Sequence, residues 1–155
     1  MKRIRILLLA TLIAAMGISA FAQGSPAAAP KAAGPNITIG LLMVGPYNDH
    51  GWSQANYDGM QYVIDRVPGA KLVYIDKANT ADRPGTTCSQ LAESLVAQGA
   101  KLIIFSSDDM MDEANKFAQA HPEIFVIMTS GDQQWKEGKA YKPMANMISI
   151  MGKME

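Results

Sequence analysis

The chain has 155 residues, with 14 Lys and Arg against 14 Asp and Glu, two His and one Cys. A single cysteine excludes an intrachain disulfide, and a balanced charge with no basic patch gives no electrostatic support for nucleic-acid binding. Stability must come from an ordinary apolar core, for which the length suffices.

The first 22 residues read as a secretory signal: Lys2, Arg3 and Arg5 form a basic start, residues 6–20 an apolar run, and Ala20-Phe21-Ala22 an A-x-A cleavage site. The apolar run is shorter than the ~20 residues of a spanning helix, so export with cleavage is expected rather than an anchor. No Cys lies beside the cleavage site to accept a lipid, which favours a free periplasmic protein. The leader holds three of the 14 basic residues and no acidic one, leaving 11 against 14 and a net charge of −3. Residues 23–36, rich in Ala, Pro and Gly, read as a flexible tether.

From residue 37 the pattern repeats about every thirty residues, the spacing of βα units. Strands are predicted over 37–43, 71–76, 101–106 and 124–129, with a weaker fifth over 146–150. The first predicted helix covers 53–67, with Ser53 offering a capping hydroxyl and Met60, Val63, Ile64 and Val67 forming its apolar stripe. The second covers about 84–98, closed by Gly99, and the third about 109–120, ahead of Pro122. Asp82 and Asp108 or Asp109 stand at helix starts, where a carboxylate caps free amides. Apolar strands separated by helices imply an α/β fold, a parallel sheet with helices on both faces, and right-handed crossovers put every strand-exit loop along one edge. Residues 151–155 read as the first turn of a following helix.

Ligands of such sheets bind at the carboxyl ends of the strands. The exit loops there carry Tyr47, Asn48, Asp49 and Trp52, then Asp76 and Asn79, then Ser106, Ser107 and Asp108, then Ser130, Asp132 and Gln133. A carboxylate accepts hydrogen bonds from vicinal hydroxyls, and an indole or phenol covers a base or the apolar face of a sugar. Tyr47, Asn48, Asp49, Trp52, Ser107, Asp108 and Asp132 are therefore the candidate ligand-binding residues. Competing structural roles exist: Asp49 and Asp108 as helix caps, Trp52 as a core anchor, Tyr57 and Trp135 as packing or surface groups. Cys88, with no His or acid beside it in sequence, reads as a small apolar residue near a helix start.

The order and spacing of several segments resemble the basic membrane protein family of solute-binding proteins, the receptors of some ABC importers. The residues are Asn48-Asp49-His50-Gly51-Trp52, Tyr57-Asp58-Gly59 and the runs DKANTADRPGTT, LVAQGAKLIIFSSDD and AQAHPEIFVIMTSGD. Two departures stand out: His50-Gly51 replaces Lys-Ser, and Trp52 replaces Phe. The resemblance implies a type I periplasmic-binding fold, with residues 37–155 as most of the N-terminal lobe and a C-terminal lobe missing. A genuine one-domain protein is the alternative to that fragment. It also implies a small polar ligand, a nucleoside first, handed to ABC importer membrane subunits without bond chemistry or cofactor.

Two other classes remain open. Asp49, Asp76, Asp108 and Asp132 near strand ends would suit an exported, Mg²⁺-dependent hydrolase. A secreted sensory or interaction module would use the same fold. No HExxH, paired-Cys, GxxxxGK[ST], GxGxxG or GxSxG pattern is present.

Overall fold

The computed structural model describes residues 34, 36–137 and 141–151. The expected signal segment, nearly all of the tether and the turn after residue 151 lie outside the described residues.

Five strands form one parallel sheet: β1 (Ile37–Leu42), β2 (Ala70–Ile75), β3 (Ala100–Phe105), β4 (Phe125–Thr129) and β5 (Met147–Ile150), in the order β2-β1-β3-β4-β5. Helices α1 (Trp52–Arg66), α2 (Cys88–Ala97) and α3 (Met111–Ala120) connect the first four strands. Registers align Leu42 with Ile75 and Phe105, and Phe105 with Met128, so the carboxyl ends finish close to level. The order reverses between β1 and β3: the chain leaves β1 toward β2, then crosses back to β3.

Side-chain alternation divides the core in two. On the α2 and α3 face, Leu42, Ile103, Phe105, Val126 and Met128 meet Leu95, Ala114 and Phe117, all with no exposed surface. Helix α2 approaches β1 so closely that a Cβ on Gly40 would sit 2.5 Å from Ile103 Cδ1 and 3.1 Å from Leu95. On the other face, Tyr57, Met60 and Val63 of α1 pack on Ile39, Leu41, Met43 and Ile104. Phe125, Ile148 and Ile150, which by alternation point to this second face, stay 39%, 43% and 50% exposed.

The strands and the third helix fall within two residues of their predicted limits, but the helix starts need correction. Ser53 does not cap α1. It lies inside the first turn, fully buried, and its Oγ accepts the Gly45 amide at 3.0 Å. Helix α2 begins four residues later than expected, because Thr87 and Gln90 form a capping box: Thr87 Oγ1 accepts the Gln90 amide and Gln90 Oε1 the Thr87 amide. Asp82 instead closes a turn around Asn79, whose Oδ1 accepts the Ala81 and Asp82 amides. Gly99 ends α2 as expected, at φ 95° with its amide on Val96.

Candidate functional site

At the carboxyl edge the sheet ladder continues into the loops. Met43 donates to the Ile75 carbonyl, Ala78 to Met43, Lys77 to Gly45 and Ser106 to Leu42, which ties the exits of β1, β2 and β3 together. Among the described residues, the non-glycine positions held left-handed are His50, Lys77 and Ser130, at φ 56°, 53° and 66°. They follow β1, β2 and β4 at this one edge, and such conformations persist only where the surroundings over-determine them.

The loop after β1 is organised by Asp49. Its Oδ1 accepts the Gly51 and Gln54 amides at 2.8 and 3.0 Å, and its Oδ2 accepts Ser53 at 3.1 Å. Asp49 thus caps α1 from outside the helix. The Gln54 amide bond, opposed by desolvation and aided by the Gly51 and Ser53 bonds, holds its carboxyl below the usual value. Three of about four acceptor positions on the carboxylate are occupied.

Trp52 spans the point where the strand order reverses. Its Nε1–H donates to the Ser106 carbonyl at the end of β3, yet the residue keeps 50% of its surface exposed. Trp52 is therefore not a core anchor; its indole is held in place and half open. Ser106 is fully buried and its Oγ makes no hydrogen bond. Ser107 is nearly buried and donates to Asp108 Oδ1 at 3.4 Å. Asp108 is exposed in a 3-10 turn (Asp108–Met110) that precedes α3, rather than capping that helix.

Tyr47 is 40% exposed, with its ring 5.2 Å from Tyr57 and 5.9 Å from Tyr74, and its amide on Asp76 Oδ2. Asn48 is exposed at the tip of the loop. Asp132 stands after β4, where its carbonyl accepts the Trp135 amide. That loop is anchored by buried Gln133, which accepts from Asn115 Nδ2 and donates to Asp112 Oδ1. The structure thus joins Trp52, Ser107 and Asp108 through Ser106, and keeps Tyr47 beside the β2 edge. Among the described residues no group of three or more His, Cys, Asp and Glu is placed to hold a metal ion, the four strand-end aspartates included.

A second concavity, a cavity of 590 Å³, opens on the α2 and α3 side of the same edge and is walled by none of the seven predicted site residues. Its residues come from the loops after β1 and β2, the first turn of α2, the 3-10 turn before α3 and the first turn of α3. Of these the sequence marks Asn79 as a strand-exit polar group, Cys88 as a packing residue, Asp109 as a helix start and Met110 as a buried residue of the third helix. Thr80, Thr86 and Thr87 carry no pattern that separates a pocket wall from a turn.

No protein-family model and no curated protein matches the chain. Solved structures do. A solute-binding protein of an ABC transporter system from Conexibacter woesei DSM 14684 aligns with TM-score 0.56 and 14% identity, over 74% of this chain and 35% of that one. Another, from Aeropyrum pernix K1, aligns with TM-score 0.56 and 16% identity, over 73% of this chain and 28% of that one. At such identity the likeness is one of fold: a parallel α/β lobe like part of an ABC-transporter solute-binding protein. The chain spans about a third of the length of these two structures.

Proposed function

We propose that the folded unit is the N-terminal lobe of a periplasmic solute receptor of the basic membrane protein type, with a type I binding fold. In this reading a small polar ligand, a nucleoside first, lies on the carboxyl edge and is handed to ABC importer membrane subunits without chemical change. One observation carries it: the Trp52 indole is fixed by a hydrogen bond at the reversal of strand order and left half exposed. A ring held that way costs little further entropy when a base or sugar stacks on it.

The roles divide accordingly. Trp52 and Tyr47 supply ring faces, while Asn48, Ser107, Asp108 and Asp132 supply polar contacts. Asp49, with one acceptor position left, chiefly holds the loop in place. The apolar leader accounts for periplasmic export, and among the described residues no helix is long and apolar enough to cross a membrane.

A receptor of this kind closes two lobes on its ligand, so one lobe gives only part of the contacts. Each ~1.4 kcal/mol lost weakens binding tenfold, so the chain alone is expected to show no micromolar nucleoside binding by calorimetry. Nuclear magnetic resonance with millimolar inosine is the direct test. The expected result is saturable shifts at the Trp52 indole N–H and the Ser107 and Asp108 amides, lost in Trp52→Ala. Shifts confined elsewhere, or tight binding by the single lobe, would overturn the reading.

A further inference from the structure

We propose that the 590 Å³ cavity between the exits of β1 and β2 and the first turns of α2 and α3 is a separate ligand site, selective for a small organic cation with an alkyl body, such as a primary diamine. Its size falls in the range of small-molecule sites. None of the seven candidate ligand-binding residues lines it, so the inference stands apart from the solute-receptor reading.

The cavity is built before any ligand arrives. Asn79 fixes one wall, with Nδ2 donating to the Val44 carbonyl and Asp82 Oδ2, both at 2.7 Å, and Oδ1 accepting two amides. The floor is apolar: Ala78 and Met110 are 2% and 1% exposed, and Val44 packs on the same core. Such a floor suits methylenes.

Charge decides the rest. Asp109 and Glu113 are the carboxylates of the lining, four residues apart, and the lining has no Lys, Arg or His. Arg83, which neighbours this loop, is turned away, its guanidinium on the carbonyls of Asp76 and Lys77. Lys116 pairs with Glu113 Oε1 at 2.7 Å but lies outside the lining. The start of α2 would favour an anion, but Thr87 and Gln90 already cap it. The negative field reaches the opposite wall: burial first, and then the Glu113 charge, push the Cys88 thiol up. A cation entering here meets the Asp109 carboxylate and a Glu113 carboxylate shared with Lys116, over apolar walls, with the Thr80 and Thr86 hydroxyls at hand to accept its N–H groups.

Cys88 is the sole cysteine of the chain and lines the cavity, so it reports occupancy. The full chain is alkylated with N-ethylmaleimide in the presence of putrescine, neutral 1,4-butanediol or succinate. Putrescine is expected to slow Cys88 alkylation saturably, and the other two to leave it unchanged. In Asp109→Asn with Glu113→Gln the half-protecting concentration should rise at least about tenfold. Because that pair also sits at the start of α3, Thr86→Lys provides a second arm: its ammonium should compete with putrescine while both acids remain. Equal protection by butanediol or succinate, or no protection by millimolar putrescine in a chain with native circular dichroism, would overturn the proposal.

Discussion

The two faces of the sheet are built differently. The α2 and α3 face is sealed along the strands, its cavity confined to the carboxyl edge: its central side chains have no exposed surface, and its helices are tied to one another as well as to the strands. His121 makes part of that tie. Its ring stacks on Phe117 at 4.6 Å, and its two nitrogens meet Glu93 of α2 and Glu123 after α3. The α1 face is covered over β1, β2 and part of β3, then opens over β4 and β5. Its helix is held at one end by Asp49 and fully buries only Ser53. Stability therefore belongs to one face, while the other carries the exposed groups and the loop around Trp52.

The comparison breaks first if the sealed face tolerates a cavity. Phe117→Ala removes the ring that meets Phe105 at 5.8 Å and His121, and should lower unfolding free energy by ~3–5 kcal/mol in urea titration. A cost below about 1 kcal/mol would mean the face is not the stabilising one. Gly40→Ala tests its tightness from the other direction. The added methyl must displace Ile103 and Leu95, with an expected loss of ~1–3 kcal/mol.

The third test uses pH. Burial of the His121 ring works to lower its pKa, but the hydrogen bonds and charges of Glu93 and Glu123 outweigh this and hold it above the ordinary value. The folded state thus binds this proton more tightly than the unfolded one. The His121 contribution is fully present below about pH 6.5 and is lost as pH rises through the raised folded value. The melting temperature of the native chain minus that of His121→Gln should be largest near about pH 5.5 and fall in the alkaline range to the pH-independent part due to the lost ring stacking on Phe117. A flat difference would remove the tie from the account.

The smallest effect is expected on the open face. Ile150→Thr changes a residue already half exposed, so unfolding free energy should move by no more than about 0.5 kcal/mol. Binding of the apolar dye ANS should nevertheless decrease. A loss as large as that of Phe117→Ala would show that β5 is packed more completely than its exposure indicates.

Much of the fold was legible because it rests on local periodicity. Alternation and apolar runs place the strands, and Gly99 and Pro122 bound helices whose ends need such residues. The errors lie where two residues compete for one role. Ser53 and Asp49 both suit a helix start, and only the folded loop shows that Asp49 takes the amides while Ser53 turns inward to Gly45. Pro84 and Gly85 resemble a helix entry, but Gly85 sits at φ 77° in a turn and the capping box follows it. Within the site, polar residues at strand exits were foreseen by type. The Trp52 link to Ser106 was not, since it joins residues 54 positions apart.

The sequence by itself determined the parallel α/β class, the approximate elements and the enrichment of one edge in polar groups, because each depends on near neighbours or composition. Tertiary structure decided the strand order, the unequal covering of the two faces, the fixing of the Trp52 ring and the existence of the cavity. These depend on which loops meet. Val44, Asn79, Thr86 and Glu113 become one wall only after the sheet has brought four separate segments to the same edge.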